Sequence, residues 1–197
     1  MTADGLGRAR SGTMEIDEFM AFIAPRPKEE RWHLINGVAV RGARPTLAHQ
    51  RVEMNLCDEL NRALAARPRG VSAYPRIAVR VPGVMDFQPQ PDVVVARAPA
   101  TNDLFAEDFC LIGEIVSSSN TRYEIELKLR RYREATGNLY VLLIEPREFR
   151  VEIHARSREW RTAVLTRSDD RIELPELGLN CTVGDLYRGT SLAQQQG

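Results

Sequence analysis

Long apolar runs are missing from this chain. Nothing in it approaches the roughly 18 consecutive apolar residues that a membrane-spanning helix needs. Met1 to Thr13 is polar and glycine-bearing with no apolar central segment, so it is not expected to be a secretory signal. Cysteine is scarce: Cys57, Cys110 and Cys181 are odd in number and far apart, so neither a disulfide framework nor a clustered zinc site is expected. That usage fits a reducing compartment, and the expected location is cytoplasmic. Charge of one sign is also lacking, with 27 basic residues balanced by 27 acidic ones, so the whole chain is not a polycation for nucleic acid. Lysine is nearly absent: Lys28 and Lys128 are the two lysines and every other basic residue is arginine. There is no internal repeat, phosphate-cradling glycine loop, zinc-ligand spacing or Ser-His-Asp order.

What remains is ordinary globular material, 43% hydrophobic and 27% charged over 197 residues. The length predicts one domain, over 13–190, with 1–12 as a disordered leader and 191–197 as a tail, frayed from Gln194. Thr13 is a candidate cap for a helix from Met14 to Ala24, whose Ile16, Phe19, Met20 and Ile23 share one face before Pro25-Arg26-Pro27 stops it. Asn36-Gly37 between two apolar runs predicts a tight hairpin.

Thr46 to Ala66 predicts an amphipathic helix with Val52, Leu56, Leu60 and Leu64 on its core face. Tyr74 to Val81 alternates like a half-buried strand, whereas Asp92 to Ala96 and Phe109 to Val116 read as strands buried on both faces. Ser117-Ser118-Ser119-Asn120 offers caps for a helix to Thr136, with Gly137 at C′, followed by a buried strand over Leu139 to Ile144. Alternating stretches at Arg150 to His154 and Trp160 to Leu165, a strand or turn near Ile172 to Leu174 and a helix near Val183 to Tyr187 end the chain. The order predicts an α/β fold, a mixed sheet flanked by helices with extra antiparallel strands. The strand–helix–strand from Cys110 to Ile144 makes a right-handed crossover between parallel strands.

Two carboxylates stand where carboxylates are costly. Asp92 opens the Val93-Val94-Val95 strand and Glu114 lies inside Leu111-Ile112-Gly113-Glu114-Ile115-Val116. Converging from neighbouring strands they would repel unless a divalent cation lay between them, and Mg²⁺ suits one or two carboxylates plus waters and phosphate oxygens. The plainer alternative has Asp92 capping a turn after Pro91 and Glu114 pairing with an arginine. Lys128 follows Glu114 by one strand end and two helical turns. It either reaches back to that site, to orient a water or neutralise a phosphate, or pairs with Glu124 at i,i+4 as Glu126 does with Arg130. Cys57 and Cys110 read as core thiols.

In their order and spacing, Glu30-Arg-Trp-His-Leu-Ile-Asn-Gly37, His49, Pro91-Asp92-Val-Val-Val, Glu114-Ile-Val-Ser-Ser-Ser-Asn120, Lys128-Leu-Arg-Arg-Tyr132-Arg-Glu-Ala-Thr-Gly137 and Leu139-Tyr-Val-Leu-Leu-Ile-Glu-Pro146 resemble the Uma-type family of restriction endonucleases, long catalogued as a domain of unknown function. The resemblance runs from about Thr13 to Tyr187. It implies the restriction-endonuclease-like fold of the PD…(D/E)xK nuclease superfamily and metal-dependent hydrolysis of DNA phosphodiester bonds. By the same resemblance Asp92, Glu114 and the carbonyl of Ile115 bind Mg²⁺ or Mn²⁺. The usual lysine position is Val116 here, and the lysine moves to the following helix as Lys128.

His33 stands where the family usually has a glutamate. It is either an auxiliary metal ligand or base, imidazole being acceptable to Mn²⁺, or a strand histidine facing solvent or a hydrogen-bonding neighbour. His49 faces the site, a partner or water; His154, expected on an edge strand, is assigned no role. Arg122, Arg130, Arg131 and Arg133, with Arg147, Arg150, Arg156, Arg158 and Arg161, are either phosphate contacts for DNA or ordinary solvated faces. The expected partners are DNA and, along an open edge strand, a second copy of the chain. The alternatives to a nuclease are a catalytically silent module of the same fold that binds nucleic acid or protein, and a different metal-dependent hydrolase on the same scaffold.

Overall fold

The structure is a computed structural model and describes residues 13–66, 70–97, 104–117 and 120–194. The expected leader, Ser118 and Ser119, and the last residues of the tail lie outside them. Chain order is α1 (Ile16–Ile23), β1 (Trp32–Ile35), β2 (Val38–Arg41), α2 (Leu47–Ala65), β3 (Val71–Pro75), β4 (Ala78–Val79), β5 (Val93–Arg97), β6 (Phe105–Ala106) and β7 (Phe109–Ile115). Then follow α3 (Arg122–Glu134), β8 (Tyr140–Ile144), β9 (Val151–Ala155), β10 (Thr162–Leu165), β11 (Arg171–Leu174), β12 (Leu179–Thr182), α4 (Val183–Leu186) and α5 (Ser191–Gln194).

A six-stranded mixed sheet in the order β10-β9-β8-β7-β5-β3 forms the centre. Its β7 and β8 are parallel, joined by the α3 crossover as expected, while β5 runs antiparallel to β7. On one face, Val52, Leu56 and Leu60 of α2 pack with Val93, Val95 and Leu111 and with the β11–β12 hairpin. On the other, Leu127 and Tyr132 of α3 pack with Val94, Ile112 and Phe87. The Val run of β5 is buried throughout because both layers cover it, which is why it shows no alternation.

The Asn36-Gly37 turn forms as expected, with φ of 50° and 73°, the left-handed pair that matches the twist of β1 and β2. Gly37 is required twice over, since a Cβ there would lie 2.9 Å from Thr13 Cα. That close approach corrects the expected start of α1. Met14 N–H donates to Gly37 O at 2.8 Å, which pins Thr13 to the hairpin, and Glu15 is the cap instead.

Three further boundaries differ from expectation. The strand expected over Tyr74 to Val81 is split into β3 and β4 at Arg76, whose φ is 54°. The α3 cap is Thr121, in a reciprocal capping box with Glu124; Asn120 instead accepts from Ser117 N–H. Gly137 does not take the left-handed C′ role. The chain leaves α3 through extended Ala135, and the Arg156 guanidinium donates to the carbonyls of Arg133, Ala135 and Asn138. A side chain thus satisfies the orphan carbonyls that a glycine cap would have served. The short β6 and β12 carry too little pattern to be read from sequence, and the expected tail begins with the helical turn α5.

Candidate active site

The site lies where the N-terminal end of β5 meets the C-terminal ends of β7 and β8. Val93 pairs with Gly113, so Asp92 and Glu114 are the next residues out from that pair on adjacent antiparallel strands. Both line one cleft of about 160 Å³, with His33, His49, Ile115 and Lys128.

Asp92 is buried at 4% exposure and held from three sides. Its Oδ1 accepts from both terminal nitrogens of Arg31 at 3.2 Å, and its Oδ2 accepts from Ile115 N–H at 2.9 Å. His49 Nε2 is 3.1 Å from Oδ1. Burial by itself would raise the carboxyl pKa, but His49, Arg31 and the Ile115 amide outweigh it and hold the group at about 2. Asp92 is therefore an anion at neutral pH. The alternative in which Asp92 caps a turn after Pro91 and Glu114 pairs with an arginine is not what the chain does: the arginine partner, Arg31, falls to Asp92, and Glu114 pairs with Lys128.

Glu114 faces the α3 layer. Its Oε1 accepts from Lys128 Nζ at 3.0 Å and from Tyr132 OH at 2.6 Å. Lys128 is buried and belongs to this site. The i,i+4 alternative fails because Glu124 is already spent: its Oε2 accepts from both the amide and the hydroxyl of Thr121 in the cap. The expected Glu126–Arg130 pair is likewise replaced by Arg122–Glu126, at 2.9 Å. Tyr132 is fully buried, and burial together with the Glu114 charge pushes its phenol well above the usual range, so it stays a donor.

His33 is buried, which corrects the solvent-facing alternative. Its Nδ1 lies 3.0 Å from the Gln90 amide nitrogen and accepts that N–H. Burial, and after it the charges of Lys128 and Arg31, push its pKa well down, so the ring is neutral and the proton must sit on Nε2. Nε2 lies beside Gly42, where a Cβ would come within 2.9 Å of it. The position usually held by glutamate thus carries an N–H donor here.

Two further residues complete the arrangement. Thr46 caps α2 by accepting His49 N–H at 3.2 Å, which fixes the first turn, and the i,i+4 spacing then stacks His49 and Glu53 on the face turned to the sheet. Both are buried. Glu53 Oε2 accepts from Arg76 Nε at 3.1 Å and from a terminal nitrogen at 2.8 Å. The left-handed Arg76 also donates its own N–H to Asp92 O, so the strand break aims that guanidinium at Glu53. Gly113 lets α2 come this close, because a Cβ there would lie 2.8 Å from Leu56 Cδ2.

With this geometry in place, the sequence model of the Uma2 family, described as "Putative restriction endonuclease", matches residues 16–184. The chain belongs to the Uma2 family. A solved structure described as a "putative nuclease belonging to DUF820 from Anabaena variabilis ATCC 29413" is similar at a TM-score of 0.70 and 19% identity, over 88% of this chain and 97% of that one. At that identity the likeness is one of fold, a mixed sheet with flanking helices. No curated protein sequence matches.

For a Uma2-family chain the donor set passes a test of chemistry. Nε2 of His49 is buried with no hydrogen-bond partner, being close to Asp92 Oδ1 but not aligned with it. Nε2, a Glu53 oxygen and an Asp92 oxygen all lie within 4.8 Å of one another. A nitrogen and two carboxylates are a divalent-cation donor set, so these three residues could hold such an ion. Glu53 escaped the sequence reading because it sits on a helix face that looks merely amphipathic, and His49 was left without a side to face. Their i,i+4 spacing behind a capping threonine was the available signal.

Five of the nine arginines offered as phosphate contacts meet carboxylates, Arg122 among them through Glu126. Arg131 meets Asp86 and Glu134, Arg147 meets Glu145, Arg150 meets Glu152 and Arg161 meets Glu159. His154 lies on β9, an inner strand rather than an edge, and is buried against Arg133 and Thr162. No helix among the described residues is long and apolar enough to cross a membrane.

Proposed function

We propose that this Uma2-family chain is a divalent-metal-dependent endonuclease acting on DNA phosphodiester bonds in the cytoplasm. The observation that carries the reading is the meeting of Asp92, Glu114 and Lys128 in one cleft at the adjoining ends of β5 and β7. Mg²⁺ or Mn²⁺ held by Asp92, Glu114 and the Ile115 carbonyl supplies Lewis-acid stabilisation of phosphoryl charge and a more acidic water.

The chain's own groups do the rest. Arg31 and the Ile115 amide hold Asp92 in one orientation, and Tyr132 holds Glu114. The Lys128 ammonium gives one N–H to Glu114 and keeps others for a phosphate oxygen or the attacking water. His33, its Nδ1 lone pair occupied by Gln90, acts through Nε2–H as a donor to a substrate oxygen; it neither ligates metal nor takes up a proton. Two copies pair along the outer edge of β10, whose far side has no strand neighbour among the described residues; sedimentation at micromolar concentration checks this.

A second reading has a specific observation behind it. Asp92 and Glu114 each already face a cation of the chain, Arg31 and Lys128, so each is neutralised without a metal. A catalytically silent module binding nucleic acid or protein would look the same. Nicking of supercoiled plasmid with Mn²⁺ and with Mg²⁺, run beside Asp92→Ala, separates the two. Cleavage that disappears in the variant supports the nuclease. Folded wild type that cleaves with neither metal refutes it and leaves the silent module.

A further inference from the structure

We propose that His49, Glu53 and Asp92 form a nitrogen-containing cation site that takes a first-row transition ion such as Mn²⁺ in preference to Mg²⁺. The inference rests on the preceding reading only in treating Asp92 as a metal ligand, and it does not depend on what the substrate is.

Three observations carry it. The first is geometric. An ion with bonds of about 2.1 Å sets neighbouring ligand atoms about 3.0 Å apart and opposite ones about 4.2 Å apart. His49 Nε2 is 3.1 Å from Asp92 Oδ1 and 3.9 Å from Glu53 Oε2, within that span. The second is the state of the imidazole. His49 is 6% exposed, and its Nε2 lies beside Asp92 Oδ1 and Glu53 Oε2 yet is buried without an aligned hydrogen bond. Leaving a buried nitrogen unpaired is costly, and a metal bond removes that cost. The third is how firmly the ligands are placed. The Thr46 cap fixes the turn that carries His49, and Gly113 admits α2 to within reach of the sheet end.

The nitrogen decides the choice of ion. Mg²⁺ favours oxygen ligands and keeps its waters, whereas imidazole suits the transition ions. Arg31 and Arg76 occupy the same carboxylate oxygens in the metal-free chain, Arg31 on Asp92 Oδ1 and Arg76 on Glu53 Oε2. They act as the resident counter-charges that an incoming ion partly replaces.

The experiment uses the full chain without DNA. Mn²⁺ binding is followed by loss of the free-ion electron paramagnetic resonance signal, Mg²⁺ binding by calorimetry, and the ligands by pulsed resonance on the Mn²⁺ complex. The expected results are Mn²⁺ bound about tenfold or more tightly than Mg²⁺ and a ¹⁴N coupling from one imidazole. His49→Gln and Glu53→Gln should each weaken Mn²⁺ binding about tenfold or more, and His49→Gln should change Mg²⁺ binding less than about threefold. If His49→Gln does not fold, the ¹⁴N coupling of the wild type decides alone. Absence of that coupling, equal affinity for the two ions, or Mn²⁺ binding unchanged in folded His49→Gln overturns the site. Plasmid nicking without ¹⁴N coupling would leave the nuclease reading and sink this one; ¹⁴N coupling without nicking would do the reverse.

Discussion

Tyr132→Phe isolates one contact of the candidate site. The ring is fully buried and stacks edge-on to Phe87 at 5.7 Å, and phenylalanine keeps both features. What is lost is the 2.6 Å hydrogen bond from the phenol to Glu114 Oε1. A hydrogen bond to a charged group contributes about 1.5–3 kcal/mol, and removing only an oxygen adds little cavity cost. In a chain of this length each kcal/mol moves Tm by about 2–4 °C, so the expected fall is about 3–12 °C. Urea unfolding followed by circular dichroism should show the same loss with an unchanged m value.

The partner test is Lys128→Met, because Lys128 Nζ donates to the same oxygen at 3.0 Å. With one donor gone the other still serves Glu114; with both gone a largely buried carboxylate is left without either. The double variant should therefore lose more than the two singles together, by about 0.5–3 kcal/mol. Tyr132→Phe within about 0.5 kcal/mol of wild type, or strict additivity in the double variant, would refute the reasoning.

Other outcomes follow from the same structure. Gly113→Ala places a methyl 2.8 Å from Leu56 Cδ2, and overpacking of about 1–3 kcal/mol, less the modest gain of replacing a glycine, should lower stability by about 1–2 kcal/mol. Leu56→Ala in the same chain should recover part of that loss, and simple addition of the two effects would argue against the clash. His154 is buried beside Arg133, and both push its pKa below 6.5, so the folded chain resists a proton that the unfolded chain accepts. Its contribution is complete above about pH 6.5 and is lost as pH falls below it, with a slope of up to about 1.4 kcal/mol per pH unit. His154→Gln should flatten the stability profile between pH 7 and 5, leaving the part due to the similarly depressed His33; an unchanged profile would show that His154 carries none of it.

Much of this protein is written locally in its chain. Asn36-Gly37 specifies its own turn, Thr46 specifies where α2 starts, and the Val93–Ala96 run announces a strand covered on both faces. The strand–helix–strand around Glu114 follows from chirality, and the two costly carboxylates and the isolated lysine that stand out in the sequence line one cleft. Such features rest on interactions within about four residues, or on periodicity, and both are visible in one dimension.

The rest was decided by tertiary contact. Lys128 chooses Glu114 over Glu124 because a capping box elsewhere on α3 uses up Glu124. Thr13 fails to cap α1 because the hairpin turn holds its neighbour. Arg76 breaks a strand to reach Glu53, and His49 meets Asp92 only because a glycine at 113 lets a helix settle against the sheet end. In each case the partner lies far along the chain or is competed for by a third residue. Only the packed fold sets which side chains share a space, and so the His49 nitrogen beside Asp92 and Glu53 could be placed by the structure alone.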